Sequence, residues 1–157
     1  MSWRNFSVWR GRLPHWRADD VSYFVTFRHS RDLRQTDIEI LIGELKRSDG
    51  RRWDLIIACV LPSRTDLLAR VRRSPSDEPY ELSDIVEKVK SRAGKAILRA
   101  SGERFPPFYG ESYDRIVRNP AELETMMDAI VSSPVDAELA ESPDEYEHFV
   151  WGRSYEP

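Results

Sequence analysis

The chain has 157 residues, of which 40% are hydrophobic and 32% charged, and it contains one cysteine. This length fits one domain, and the single cysteine excludes an internal disulfide framework and a zinc site built from several cysteines. The longest apolar run, residues 55–61, is far shorter than the ~20 residues that a membrane span needs, and arginines interrupt the N-terminus too often for a signal peptide. We therefore expect a cytoplasmic protein with no membrane partner.

The net charge of −3 conceals an uneven distribution along the chain. Residues 1–118 carry 23 basic and 17 acidic side chains, a net of +6, whereas residues 119–157 carry 1 and 10, a net of −9. A basic body with an acidic end is compatible with a nucleic-acid partner in spite of the average charge. Twenty of the 24 basic residues are arginines, which suit phosphate groups, although a GC-rich genome gives the same bias.

The first half of the chain predicts a basic arm, a helix and three strands. In residues 1–17, aromatic side chains alternate with arginines, and residues 21–27 are typical of a strand. Residues 37–46 have helical spacing, with Thr36 as the expected N-cap. The apolar run at residues 53–61 predicts a central strand covered on at least one face, and residues 67–71 predict the strand that returns beside it.

The second half predicts two helices and a short strand. Residues 82–98 place apolar side chains on one stripe of a helix and most basic side chains away from it, residues 113–117 predict a strand, and residues 121–131 predict a helix. The order β-α-β-β-α-β-α predicts an α+β fold, a ferredoxin-like antiparallel sheet with helices packed mainly on one face. We expect a single domain over residues 18–150 and a C-terminal tail over 151–157.

Several blocks of this sequence, in their order and spacing, resemble the REP-associated tyrosine transposases. These are relatives of the small HUH transposases that act on single-stranded DNA. The segment WDLIIACVLPSRTDLL at 53–68 resembles the second and third strands of that family, ESYDRIVRN at 111–119 resembles a second block, and AIVSSPVDAEL at 129–139 resembles a third. RLPHW at 12–16 and YFVTFR at 23–28 resemble the N-termini of many members. The resemblance covers roughly residues 10–150.

The resemblance implies a specific chemistry and shows that its residues are replaced here. In the family, two histidines spaced two residues apart on a strand hold Mg²⁺ or Mn²⁺, which polarises the scissile phosphate. A tyrosine on a later helix, five residues before the proline of an Asn-Pro pair, attacks that phosphate. The histidine positions carry Arg64 and Asp66, and counting back from Pro134 places Ala129 at the tyrosine position. We therefore expect no catalytic group, no metal and no cofactor.

Two features of the sequence could preserve a nuclease or transposase activity. Tyr113 lies in a block where the family carries a tyrosine in addition to the helical one, and its simplest interpretation is a partly buried strand tyrosine with a bonded hydroxyl. A residual metal-dependent nuclease would need Asp66 to bind Mg²⁺ together with Asp54 or Glu111, which Arg64 on the same strand face would oppose. The histidines at 15, 29 and 148 have no ligand spacing and are expected at the surface or in packing.

The resemblance and the basic body together predict DNA binding. The predicted phosphate-binding side chains are Arg4, Arg10, Arg12, Arg17, Arg64, Lys88, Arg92, Lys95, Arg99, Arg115 and Arg118. The predicted stacking side chains are Trp3, Trp9 and Tyr113, whereas Trp16 and Trp53 are expected to pack in the core. For Arg64 two interpretations stay open, a phosphate contact in place of the metal and a salt bridge to Asp66 in a decayed site.

The predicted function is a transposase-like DNA-binding protein that recognises hairpin or single-stranded DNA without nicking or strand transfer. The alternative is a protein-interaction or regulatory module that reuses the fold without DNA binding, with the acidic C-terminal region contacting a partner or covering the basic groove. A homodimer is compatible with either prediction.

Overall fold

The computed structural model of the protein describes residues 22–154. In chain order they form β1 (Ser22–Arg28), α1 (Gln35–Ser48), β2 (Trp53–Val60), β3 (Arg64–Val71), α2 (Leu82–Ser101), β4 (Tyr113–Val117), α3 (Pro120–Asp136), a 3₁₀ helix (Pro143–Glu145) and β5 (Phe149–Trp151). This order confirms the predicted β-α-β-β-α-β-α arrangement. The predicted arm at 1–17 lies outside the described residues. Within residues 22–154, no helix combines the length and apolarity needed to cross a membrane.

The strands form one antiparallel sheet in the spatial order β4-β1-β3-β2-β5, with β3 at its centre. Side chains alternate between the two faces of β3, so Leu67 and Ala69 join the core beneath α1 and α2 whereas Leu68 joins the core beneath α3. Two of the three helices therefore pack on one face, as predicted, and α3 covers the other. Both faces of the central strands are buried.

A β-bulge explains why β2 is apolar without interruption. The pairing of β2 with β3 shifts between Leu55 and Ile57, which leaves Ile56 as an extra residue. Ile56 and Ile57 consequently both face α3, while Leu55 and Ala58 face α1 and α2. A strand that is buried on both faces needs apolar side chains at nearly every position.

Two helix ends differ from the prediction for identifiable reasons. The N-cap of α1 is Arg34 and not Thr36, because the carboxylate of Asp37 accepts a hydrogen bond from the Arg34 backbone N–H at 2.9 Å. The last helix extends beyond residue 131 and through Pro134. The Ile130 carbonyl, which Pro134 cannot bond because it has no N–H, accepts a hydrogen bond from the Ser133 hydroxyl at 2.7 Å.

The C-terminal segment completes the sheet. β5 pairs with β2, the Gly152 N–H donates to the Ile56 carbonyl at 3.1 Å, and the Arg153 N–H donates to Asp49 Oδ2 at 2.9 Å. The buried hydroxyl of Tyr146 donates to the Val60 carbonyl at 2.6 Å. The predicted start of a tail at residue 151 therefore falls inside a strand, one that is too short to show a periodic pattern in the sequence.

His29 joins the end of β1 to the start of β3. Its Nδ1 donates to the Pro62 carbonyl at 2.8 Å, its Nε2 accepts from the Thr65 hydroxyl at 3.0 Å, and its ring packs against Phe27 and Phe108. Burial lowers the pKa of His29 below its ordinary value of 6.5, although the hydrogen bond to Pro62 opposes that shift. Of the two positions expected for the histidines, at the surface or in packing, His29 takes the second.

The pH dependence of stability follows from this lowered pKa. In the window just below pH 6.5 the unfolded chain binds a proton at His29 more readily than the folded chain, so stability rises with pH there. We expect the melting temperature to fall between pH 7 and pH 5.5, and His29→Gln to reduce that fall. Melting curves followed by circular dichroism measure it, with His148→Gln as the control. An unchanged pH dependence in His29→Gln would contradict the assignment.

Candidate functional site

An open cavity of about 880 Å³ lies between the sheet and α3, at the end of the sheet where β1 ends and β3 begins. Arg64 and Asp66 line it from β3, and Ala129 lines it from α3. These are the three positions that the sequence resemblance assigns to the metal ligands and the nucleophile. Residues that are more than 60 positions apart in the sequence therefore meet in one cavity.

Strand register explains which side chains reach this cavity. Thr26 of β1 lies between Tyr113 of β4 and Asp66 of β3, and Asp66 in turn lies opposite Cys59 of β2. Side chains in register on neighbouring antiparallel strands share a face, so these four form one row across the sheet. Arg28 and Arg64 are likewise register partners, two positions further along the two strands.

The carboxylate of Asp66 is buried and both of its oxygens are bonded. Oδ1 accepts from the Thr26 hydroxyl at 2.6 Å, and Oδ2 accepts from Arg64 Nε at 3.0 Å. The side chain of Asp66 is 8% exposed, whereas that of Arg64 is 41% exposed. The salt bridge to Asp66, one of the two interpretations of Arg64, is therefore present, and it uses only the Nε of Arg64. Among residues 22–154, the two Nη groups of Arg64 have no hydrogen-bond partner.

The donor set of the cavity does not fit the divalent cation that the resemblance implies. A guanidinium occupies the first ligand position and already pairs with the carboxylate at the second. Glu111 lines the cavity, but Asp54 does not, and Asp54 instead pairs with Arg72 at 3.6 Å. Within the described part of the chain, no group of three or more histidine, cysteine, aspartate or glutamate side chains has a metal-binding arrangement.

The cavity combines two arginines with exposed aromatic rings. Arg28 is exposed and makes no ion pair with any other residue of 22–154. Tyr109 is 53% exposed and Tyr113 is 59% exposed, and both line the cavity beside Arg28 and Arg64. The interpretation of Tyr113 as a partly buried tyrosine is therefore wrong, because β4 is the edge strand and leaves more than half of this residue exposed.

The remaining polar groups give the cavity a mixed character. Glu111 and Asp136 also line it, so the positive charge is confined to the Arg28 and Arg64 pair. Cys59, in the next strand from Asp66, lies beneath α3, and burial raises the pKa of its thiol to about 12 although the nearby Ser133 side chain opposes the shift. Cys59 is thus protonated at neutral pH and does not act as a nucleophile.

Within residues 22–154, the predicted phosphate-binding residues do not form a single surface. Lys88, Arg92, Lys95 and Arg99 are exposed on α2, which packs on the opposite face of the sheet from the cavity. Arg115 lies 3.9 Å from Glu122, and Arg118 is exposed at the turn before α3, both outside the cavity lining. The predicted contacts Arg4, Arg10, Arg12, Arg17, Trp3 and Trp9 lie outside the described residues.

Sequence reasoning missed Arg28 and Tyr109. Arg28 comes directly after the predicted first strand and is the last residue of β1, and only its register with Arg64 identifies it as a neighbour of the site. Tyr109 follows the Pro106-Pro107 pair, and its backbone N–H donates to the Arg28 carbonyl at 3.4 Å.

Comparison with known proteins identifies the fold. No family model and no curated protein matches the sequence. The structure is similar to that of a REP-associated tyrosine transposase bound to a REP hairpin, at 14% identity and a TM-score of 0.63, over 87% of this chain and 82% of that chain. A candidate transposase from Deinococcus radiodurans R1 aligns at 12% identity and a TM-score of 0.48, over 74% of this chain and 95% of that one. The first similarity shows that this α+β fold, with its five-stranded antiparallel sheet and three helices, is that of a known transposase.

The role of Thr26 in holding Asp66 is directly testable. Thr26→Val removes one hydrogen bond from a buried carboxylate, and we expect the free energy of unfolding to fall by about 1–3 kcal/mol in urea denaturation. The control is Thr125→Val, whose hydroxyl bonds the Ala121 carbonyl on an exposed helix surface, with an expected loss of about 0.5 kcal/mol or less. Equal losses in the two variants would contradict this role.

Proposed function

We propose that this protein is a transposase-like DNA-binding protein, a degenerate relative of the REP-associated tyrosine transposases, which recognises hairpin or single-stranded DNA without nicking or joining it. The observation that carries the proposal is the side-by-side pair of Arg28 and Arg64 at the cavity. The shared fold with a transposase bound to a DNA hairpin supports the choice of partner.

The arginine pair favours an anionic ligand. Like charges directly opposite each other on neighbouring strands destabilise a sheet, and Asp66 offsets this repulsion only through the Nε of Arg64. A phosphate between the two guanidinium groups would offset the remaining repulsion, because the planar guanidinium of arginine matches the geometry of phosphate oxygens. Glu111 and Asp136 restrict this attraction to one part of the cavity, so a bound strand would meet the arginine pair locally.

The aromatic rings favour nucleic acid over a small anion. Stacking of a base on an exposed aromatic ring stabilises single-stranded complexes by about 1–3 kcal/mol per base. Tyr109 and Tyr113 present such rings beside the arginine pair. A single strand that crosses the cavity would place a phosphate at the arginines and its bases against the tyrosines.

The proposed loss of chemistry rests on three side chains. Arg64 cannot bind a cation, Asp66 has both oxygens engaged, and Ala129 has no nucleophilic atom at the helical position. These substitutions would remove the divalent cation and the attacking tyrosine, and they leave a cavity that would accept a single strand of DNA.

A second candidate function is a protein-interaction module. It is favoured by Leu139, which is 45% exposed and lies in a shallow groove lined by Glu138, Glu141 and Glu145. An exposed apolar side chain within an acidic rim suits a basic protein partner. Failure of this protein to bind a DNA hairpin at low salt would favour this candidate. Counterion release makes phosphate contacts strongest at low salt, so a DNA-binding protein should bind under that condition.

The proposal predicts the effect of removing Arg64. We expect Arg64→Ala to weaken binding of a hairpin with a single-stranded flank by roughly tenfold or more and to lower the salt slope by about one. Arg64→Lys keeps the charge and should keep the slope. Fluorescence anisotropy at several salt concentrations measures both. The control is Arg73→Ala, an exposed arginine outside the cavity. Unchanged affinity and slope in Arg64→Ala would contradict the phosphate contact.

The proposal also predicts that the protein does not cut DNA. We expect denaturing gels to show neither a nick nor a covalent protein–DNA adduct after incubation with hairpin DNA and Mg²⁺ or Mn²⁺. A product would contradict the proposed loss of chemistry. In that event, loss of the product in Tyr113→Phe would identify Tyr113 as the nucleophile.

A further inference from the structure

A second basic site lies on the other side of the sheet from the cavity. A cleft of about 350 Å³ is bounded by the C-terminal end of α1, the turn before β2 and the middle of α2. The cations that line it come from all three segments and are Arg47, Arg51, Arg52, Lys88 and Arg92. Glu44 is the one carboxylate among the lining residues.

Little of this charge is neutralised within the described chain. Glu44 pairs with Arg47, and the Arg52 guanidinium lies over the Tyr80 ring at 5.2 Å. The side chains of Arg51, Lys88 and Arg92 form no hydrogen bond or ion pair with any residue of 22–154. Cations gathered in one concave site repel each other, and a bound anion would remove that repulsion.

The helix dipole accounts for only part of the cluster. Lys46 and Arg47 lie in the last turn of α1, where basic side chains interact favourably with the negative end of the helix. Lys88 and Arg92 lie one turn apart in the interior of α2, far from either helix end. Interaction with a helix end therefore does not explain why Lys88 and Arg92 line the same cleft as Arg51.

The shape of the cleft suits a compact group with charged and apolar parts. Ile85 and Val89 of α2 line it between the cationic side chains. Its volume lies near the lower end of the range of about 300–1,000 Å³ that is common for small-molecule sites. Arginine and lysine together recognise phosphate, and the apolar lining fits the face of a sugar or base.

We propose that this cleft is a second binding site, which takes the phosphate groups of a nucleotide unit. The unit belongs either to a nucleic acid strand or to a free nucleotide, and the chemistry of recognition is the same. The site is independent of the arginine pair at the cavity, because it lies on the other face of the sheet and beside the opposite end of β3, where Trp53 pairs with Val71.

The test compares two double variants of the same helix. Lys88→Ala with Arg92→Ala removes two cations of the cleft, and Lys95→Ala with Arg99→Ala removes the same residue types at the same spacing outside it. Each variant is titrated with a DNA hairpin by fluorescence anisotropy and with sodium pyrophosphate and dATP by amide NMR shifts. Melting curves verify that both are folded.

The possible outcomes distinguish a nucleic acid ligand, a free nucleotide ligand and the absence of a site. Loss of hairpin affinity by roughly tenfold, with a salt slope lower by about two, in the cleft variant alone would assign the site to nucleic acid. Loss of the dATP and pyrophosphate shifts at Arg51, with hairpin affinity unchanged, would assign it to a free nucleotide. Equal effects of the two double variants, or no effect of either, would overturn the proposal.

Arg64→Ala keeps this result distinct from the proposed function. It leaves the cleft intact, so the shifts at Arg51 should persist whether or not the cavity binds DNA. A negative result at the cavity therefore does not imply one at the cleft, and the reverse also holds.

Discussion

The cavity depends on the interactions of the buried Asp66 carboxylate with Thr26 and Arg64. A buried charge is costly unless it is paired and hydrogen bonded, and Thr26 and Arg64 supply both requirements from neighbouring positions of the sheet. This arrangement engages the Nε of Arg64 and leaves its Nη groups without a hydrogen-bond partner among residues 22–154, in a cavity that Arg28, its register partner, also lines. One ion pair thus links strand register to the chemistry that the cavity offers.

Strand alternation made much of this predictable from the sequence. Two residues spaced by two on a strand share a face, so Arg64 and Asp66 were expected together, whereas the placement of Ala129 at the same site was implied only by the resemblance to the transposase family. The element order was also predictable, because an apolar run or a helical stripe can be recognised within one continuous stretch of sequence. The bulge at Ile56 and the short β5 were not, since each depends on pairing with a distant strand.

Side-chain environments were harder to predict than elements. Tyr113 was expected to be partly buried because strand tyrosines usually are, but its strand lies at the edge of the sheet. The basic side chains of α2 were expected to contact DNA, as was Arg64. They lie on the opposite face, because α3 and not α2 covers the cavity side.

The basic body of the chain is thus divided by its sheet into two distinct sites. At the cavity, aromatic rings accompany two arginines and nearby carboxylates limit the charge. At the cleft, five cations surround a small apolar lining with one carboxylate. The net charge of −3 describes neither site, because residues 119–157 carry a net charge of −9 and residues 1–118 a net charge of +6.

Ultraviolet cross-linking of the intact protein to a DNA hairpin with a single-stranded flank, followed by mass spectrometry of the peptides, tests the central claim most directly. The proposed single strand at the cavity predicts cross-links at Tyr109 and Tyr113, because their exposed rings would stack on bases. Bound DNA that cross-links elsewhere and never at these two tyrosines would contradict it.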